Sequence, residues 1–364
     1  MISWLERSFE RTVKPSLKQW TSPVDPGVYL AALNPKWSRN LTGVIEQITP
    51  LTSSAAALRI RPSHGWTGHR PGQFVTIGVD VDGVRHHRCY SLTSSPRQDD
   101  GMIEIGVQSV PGGIVSTHLV ERARPGDIVQ LTPTDGDFTL PAPVPPKLLM
   151  ISGGSGITPL MGMLRTLADD PVDRRALDVV LLHHAPDAGR AMFATELAHL
   201  ASAAPWLTID SQHTQRGGCR LDGTTLESRC PDWREREAFV CGPESLLDVV
   251  TDHWESHGLI EQLHLERFAS ARSIAAKNGG AGARITFETS GRDTVSTDGS
   301  TLLELAESAG LSPAHGCRMG ICHTCVTPLT SGCARDLRDG RLIEAGTHVR
   351  LCVSAPAGDL TLDL

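Results

Sequence analysis

His315-Gly316-Cys317-Arg318-Met319-Gly320-Ile321-Cys322-His323-Thr324-Cys325 holds three cysteines in one short loop, and a fourth, Cys352, lies near the end of the chain. The spacing is C-x4-C-x2-C…C, the pattern that holds a binuclear 2Fe-2S cluster. Two irons need two thiolates each; a loop can supply three, and a distant residue must close the site. The candidate metal ligands are therefore Cys317, Cys322, Cys325 and Cys352. Gly316 and Gly320 let the backbone approach and offer N–H groups to the sulfurs, which tunes the potential. A structural zinc site competes, but zinc favours C-x2-C pairs repeated at two knuckles. Cys333 is not needed by the pattern and is expected to be a small buried residue.

The flanks read as a small α+β unit. Arg284–Thr289 and Thr294–Thr297 read as a hairpin, 301–309 (TLLELAESA) as a helix with leucines at helical spacing, and 359–364 as a terminal strand. Residues 284–364 resemble the plant-type ferredoxin fold, and Cys-Arg-x-Gly-x-Cys is close to that family's cluster loop.

Upstream, the apolar run Lys147-Leu148-Leu149-Met150-Ile151 leads into Ser152-Gly153-Gly154-Ser155-Gly156-Ile157-Thr158-Pro159 and a helical pattern over 160–168. A strand, a glycine turn and a helix start form a phosphate site, because unpaired N–H groups and the helix dipole face the anion. The turn is not G-x-G-x-x-G, so the simple dinucleotide fingerprint is absent. Segments 178–184, 206–211 and 237–241 read as further strands alternating with helices, the pattern of a parallel sheet, the last ending in Val240-Cys241-Gly242-Pro243.

Further upstream, 41–48, 55–61, 73–79, 85–92, 102–109 and 128–132 read as short strands separated by Gly/Pro/Asp turns, which suggests an antiparallel β-barrel. Arg88-Cys89-Tyr90-Ser91 lies on one of them. Gly112-Gly113-Ile114-Val115-Ser116-Thr117 reads as a helix start with Ser/Thr capping, whose N–H groups suit a pyrophosphate.

Gly-Gly-x-Gly-Ile-Thr-Pro, a later Cys-Gly-Pro and Arg-x-Tyr-Ser, in this order, resemble the ferredoxin–NADP reductase superfamily. The resemblance implies a flavin site at Arg88 (phosphate), Cys89, Tyr90 and Ser91 (the reactive N5 edge), with Gly112, Gly113, Val115 and Ser116 at the pyrophosphate. It implies a dinucleotide site at Gly153, Gly154, Gly156 and Thr158, with Cys241 and Gly242 beside the nicotinamide. His264-Leu265-Glu266-Arg267-Phe268 is similar to the family's Glu-x-Phe, which gives Glu266 and Phe268 a place near the flavin–nicotinamide stack. Ser91, Cys241 and Glu266 are the candidate catalytic residues.

The expected organisation is an N-terminal extension (1–40), an FAD-binding β-barrel (41–143), an α/β parallel-sheet NAD(P)-binding domain (144–268), a Gly-rich linker (269–283) and a ferredoxin-type β-grasp domain (284–364). FAD is expected ahead of FMN because of the pyrophosphate-like loop. NADPH is expected ahead of NADH, although His184-Ala185-Pro186-Asp187 stands where relatives often carry Asn-Arg; Arg190 or Arg216 is the substitute for a 2′-phosphate contact.

The same domain order occurs in phthalate dioxygenase reductase and the phenylacetyl-CoA epoxidase reductase. Gly72–Arg85 and Gly136-Asp137-Phe138 are similar to the reductases of membrane stearoyl-CoA desaturases. That resemblance implies an oxygen-activating electron acceptor, either a membrane fatty-acyl-CoA desaturase or a soluble ring-hydroxylating or diiron oxygenase. A redox sensor is the reading of another class, and the complete flavin and nicotinamide motifs argue against it. The terminal oxygenase is not encoded here: there is no two-His–two-Cys Rieske set and no set of histidine boxes. His253-Trp254-Glu255-Ser256-His257 places two histidines at i, i+4, read as a solvated helix face; His86, His87, His183 and His184 are given no metal role.

Composition sets outer bounds. Over 364 residues, 34 Lys+Arg against 41 Asp+Glu give a formal charge of −7 without a basic block, so nucleic acid is not an expected partner. No apolar run is long enough to span a bilayer, and Met1-Ile2-Ser3-Trp4-Leu5-Glu6-Arg7 lacks a signal peptide's apolar core, so a cytoplasmic location is expected. Trp4, Leu5, Phe9 and Val13 fall on one face of a helical projection. Packing on the barrel is the first expectation for that face, and contact with a membrane or membrane partner the second.

Overall fold

The computed structural model describes residues 41–364 except 82, 171–176, 216, 217, 219, 269–281, 297–299, 316–319, 321–323, 338 and 339. The N-terminal extension, most of the linker, Arg216, Cys317 and Cys322 therefore lie outside the described residues.

Six strands form the first sheet: β1 (Thr42–Thr52), β2 (Ala55–Pro62), β3 (Phe74–Val81), β4 (Val84–Ser91), β5 (Ile103–Gln108) and β6 (Ile128–Leu131). Their order is β4-β3-β6-β1-β2-β5, every pairing antiparallel. A bridge from Leu92 to Ile105 joins the two outer strands and closes the sheet into a barrel. Alternate side chains fill it, with Ile45, Leu58, Ile60, Val75, Ile77, Ile105 and Val107 fully buried. A four-residue helix, α1 (Ile114–Thr117), follows β5.

The second sheet is wholly parallel, in the order β11-β10-β7-β8-β9: β7 (Lys147–Gly153), β8 (Asp178–Ala185), β9 (Leu207–His213), β10 (Glu237–Gly242) and β11 (Leu263–Arg267). Helices α2 (Ile157–Asp169), α3 (Ala194–Ala203), α4 (Gly223–Arg229) and α5 (Glu244–Ser256) connect the strands. Both faces are covered, which is why β7 reads as an unbroken apolar run. Leu148 and Met150 pack with α2 on one face; Leu149 and Ile151 pack with Trp233 and Trp254 on the other. The first face also takes in Ala55, Ala57, Phe138 and Leu140, so barrel and parallel sheet share one core.

The third sheet is mixed: β12 (Arg284–Phe287), β13 (Arg292–Val295), β14 (Val326–Asp336), β15 (Leu342–Glu344), β16 (Thr347–Arg350) and β17 (Ser354–Leu362), in the order β13-β12-β17-β14-β15, with β16 also on β14. Helix α6 (Leu302–Ser308) buries Leu302, Leu303, Leu305 and Ala306 against it. Thr301 and Glu304 form a reciprocal cap at its start.

Four expectations are corrected. The terminal strand starts at Ser354, not near Asp359, because β14 pairs with it from Asp336↔Ser354 onward. The hairpin's second strand starts at Arg292. Cys333 is half-buried, since it sits on β14 beside the short outer strand β15. His253 is not on a solvated face: its side chain is 14 % exposed and its ring lies 4.6 Å from that of Trp233, with His257 on the same indole at 5.3 Å.

Candidate functional site

The end of β4 carries Arg88-Cys89-Tyr90-Ser91, and these residues line a cavity of about 330 Å³ between barrel and parallel sheet. Gln108, Gly113, Val115 and Ser116 add to the barrel side; Ser155, Thr158 and Phe268 come from the turn, helix and strand end of the parallel-sheet unit. Ser91 is 2 % exposed, and its hydroxyl has no partner among the described residues. A buried hydroxyl without a partner is costly, so it suits a bound group with a polar edge. Burial pushes the Tyr90 phenol up, which keeps it a neutral donor. Arg88 donates to His87 O at 2.7 Å, and the Cys89 thiol lies 3.4 Å from Thr76 Oγ1.

The turn after β5 differs from expectation. Gly113, not Ser or Thr, stands at the capping position before α1, and no side chain caps it. Ser116 Oγ instead accepts from Val110 N at 3.4 Å. Gly112 adopts a φ of 74°, outside the usual range of other residues. The cavity wall, the unpartnered Ser91 and the uncapped turn together fit a flavin with a phosphate tail.

At the second sheet, β7 ends in Gly153, Gly154–Gly156 forms a tight turn, and α2 begins at Ile157. A Cβ on Gly156 would lie 2.1 Å from Cys241 O, so the turn rests directly on the end of β10. Thr158 Oγ1 ties back to Ser155 O at 2.9 Å. Cys241 is fully buried and faces Glu266 across the β10–β11 pairing. Burial drives the Cys241 thiol well up and the Glu266 carboxyl to about 8; Glu266 Oε2 has no partner among the described residues. These groups lie at the carboxyl ends of the strands, where a parallel sheet binds ligands. Arg190 is engaged by Asp187 at 2.7 Å.

Of the residues singled out in the sequence, Arg88, Cys89, Tyr90, Ser91, Gly113, Val115, Ser116, Thr158 and Phe268 meet in one cavity wall. Gly112, Gly153, Gly154, Gly156, Cys241, Gly242 and Glu266 do not line it. Sequence reading missed Gly106 and Gln108 on β5. Gly106 was detectable as a glycine inside a strand, a sign of close approach: its Cβ would meet Thr158 Cγ2 at 2.7 Å.

In the third unit, Cys325 precedes β14 and Cys352 lies in the turn before β17. Both are buried, with sulfurs 3.2 Å apart, and Gly320 N donates to Cys352 Sγ at 3.3 Å. Two converging thiols with a backbone donor fit half of a cluster site.

Residues 43–140 match the family described as oxidoreductase FAD-binding domain, residues 150–252 the oxidoreductase NAD-binding domain, and residues 285–357 the 2Fe-2S iron-sulfur cluster binding domain. Barrel, parallel sheet and thiol-bearing β-grasp unit define an NAD(P)H oxidoreductase of the ferredoxin reductase type, using FAD and a 2Fe-2S cluster; the chain belongs to the ferredoxin–NADP reductase superfamily with a C-terminal 2Fe-2S domain. Among particular relatives, it is 44 % identical to the NADPH oxidoreductase of Mycobacterium tuberculosis, covering 94 % of this chain and 90 % of that one. It is 30 % identical to the glycine betaine monooxygenase reductase subunit of Pseudomonas aeruginosa, covering 81 % and 87 %. The fold is shared with phthalate dioxygenase reductase, at a TM-score of 0.62 and 24 % identity, over 90 % of this chain and 98 % of that chain.

Proposed function

We propose that this chain is the reductase component of an oxygen-activating system, taking a hydride from NADPH and delivering single electrons to a membrane fatty-acyl-CoA desaturase. The observation that carries the reading is the joining of flavin-side and nicotinamide-side residues in one cavity, in a chain that also holds a cluster unit. Bound flavin supplies the conversion of a two-electron donor into single electrons for the cluster. The protein's part is positional. Ser91 offers its hydroxyl to the reactive edge of the ring, Arg88 and the α1 turn hold the phosphates, and Gly153–Gly156 with Thr158 cradle the dinucleotide. Cys241 and Glu266 close the nicotinamide side. Cys317, Cys322, Cys325 and Cys352 hold the cluster.

The desaturase is favoured by the resemblance of 72–85 and of Gly136-Asp137-Phe138. A soluble oxygenase is the second reading, favoured by relatives that are named as monooxygenase reductase subunits. No helix among the described residues is long and apolar enough to cross a membrane. In our reading the chain works in the cytoplasm, reaching the membrane through its partner or its N-terminal extension.

The test is an anaerobic titration with NADPH and then NADH, followed by visible and EPR spectra. Bleached flavin bands and the signal of a reduced 2Fe-2S centre are expected, with NADPH the better donor. Bleaching without a cluster signal in metal-replete protein overturns the cluster assignment. Steady-state NADPH oxidation with desaturase-bearing membranes or a soluble oxygenase then decides the acceptor.

A further inference from the structure

Arg165 belongs to none of the motifs above, yet it ties the barrel to the parallel-sheet unit. Along α2, Thr158, Gly162 and Arg165 share one face, three to four residues apart. Thr158 meets β5 at Gly106. A Cβ on Gly162 would lie 2.4 Å from Leu92 O, so the helix backbone rests on the residue after Ser91. One turn on, Arg165 Nη1 donates to Thr93 O at 2.9 Å and to Glu104 Oε1 at 2.6 Å. Its Nε and Nη2 grip both oxygens of Glu196 on α3, at 2.6 and 2.7 Å. The Thr93 hydroxyl donates to the same Glu104 oxygen at 2.8 Å. Arg165 and Glu104 side chains are only 15 % and 16 % exposed. Beneath the guanidinium, 5.5 Å from Cζ to ring centre, lies Phe193, a buried residue at φ 59° whose ring would also meet a Cβ on Gly106. A bulky residue in that left-handed region persists only where its surroundings hold it.

We infer that Arg165 is a positioning residue for hydride transfer, setting the spacing between the strand that carries Ser91 and the helix that begins at the glycine turn. The inference rests on the reductase reading. The step it positions moves one hydrogen with its electron pair from nicotinamide C4 to flavin N5, leaving oxidised nicotinamide and reduced flavin, with no bond to the protein. Such a step is steep in distance, and a displacement of about 1 Å costs on the order of a hundredfold. The planar fork makes four bonds in fixed directions; a lysine supplies the charge but not the fork.

The experiment compares Arg165→Met, Arg165→Lys and Gly162→Ala with the wild-type holoenzyme. Three readouts are taken: the limiting rate of flavin reduction at saturating NADPH by anaerobic stopped flow, NADP⁺ affinity by calorimetry, and amide exchange over 91–94 and 104 in the flavin-stripped protein. Arg165→Met is expected to lower the limiting rate about 10- to 100-fold, with FAD content and NADP⁺ affinity retained and exchange accelerated. Arg165→Lys should recover part of the rate. Gly162→Ala should slow it with every charge in place, and it decides the matter together with Arg165→Lys if the methionine variant does not fold. Variants that hold FAD and match the wild-type rate overturn the inference alone. Wild-type flavin that neither NADPH nor NADH reduces overturns the reading beneath it.

Discussion

Glu266 has an ordinary carboxyl's chemistry and an unusual place. Burial holds it neutral up to about pH 8, against 4.5 for the exposed group. Between those values the unfolded chain has released a proton that the folded chain keeps. Stability therefore falls as pH rises through this window, and Glu266 costs nothing below it. Glu266→Gln removes the cost. Relative to wild type it should match at pH 4.5 and melt higher at pH 8 by several degrees, about 2–4 °C for each kcal/mol recovered in a unit of this size. Calorimetric melts of the flavin-stripped protein at both pH values check this. A melting difference that stays constant with pH means Glu266 ionises normally. In the sequence Glu266 was visible only through a family resemblance, because the strand pairing that sets it beside Cys241 is a property of the fold. Ser91 was visible inside a motif, but its lack of a partner is a property of the fold. Arg165 was invisible: its partners Thr93 and Glu104 stand 72 and 61 positions away.

At the scale of elements, reading was most successful where periodicity and breakers agree. The β7 run, the glycine turn and the helix come in the order that pattern assigns them, although β7 runs on to Gly153 and α2 begins at Ile157 rather than at 160. Contacts between elements were not legible. Nothing in Gly-Gly-Ser-Gly says that its last glycine must lie against the β10 backbone, where a Cβ would stand 2.1 Å from Cys241 O and 2.8 Å from Gly242 N. Backbone cannot move aside as a flexible side chain can. Gly156→Ala should therefore push the turn off β10 and spoil the dinucleotide cradle while leaving the barrel intact. At an overpacking cost of about 1–3 kcal/mol, the KM for NADPH should rise about 10- to 100-fold, with FAD content unchanged. Steady-state kinetics on purified protein test it, and an unchanged KM places the dinucleotide elsewhere. The α1 turn failed in the opposite way. Ser116 and Thr117 look like capping residues, yet Gly113 holds that position and Ser116 turns back to Val110. Capping depends on the loop's path as well as on residue type.

The molecule as a whole divides its cores unevenly. Barrel and parallel sheet share one hydrophobic cluster, whereas among the described residues the cluster inside the third unit draws on residues from Ile285 onward. Domain order was legible because each unit has its own periodicity and its own motif; the shared core was not, because Phe138 and Leu140 look like loop residues until they meet α2 and Phe239. This division predicts where damage stops. Cys352 is buried in the third unit's own core, its sulfur beside that of Cys325. Cys352→Ala removes a thiolate that no neighbour among the described residues replaces, while the cavity at Arg88–Ser91 keeps every residue that lines it. Flavin should still bleach with NADPH, and ferricyanide, which takes electrons from flavin directly, should still be reduced at the wild-type rate. The EPR signal of the reduced cluster and electron delivery to a protein acceptor should both be lost. If acceptor reduction survives in protein that lacks the cluster signal, electrons leave from the flavin and the third unit serves docking instead. If ferricyanide reduction fails as well, loss of the thiolate has disturbed the flavin units too, and the two cores are coupled.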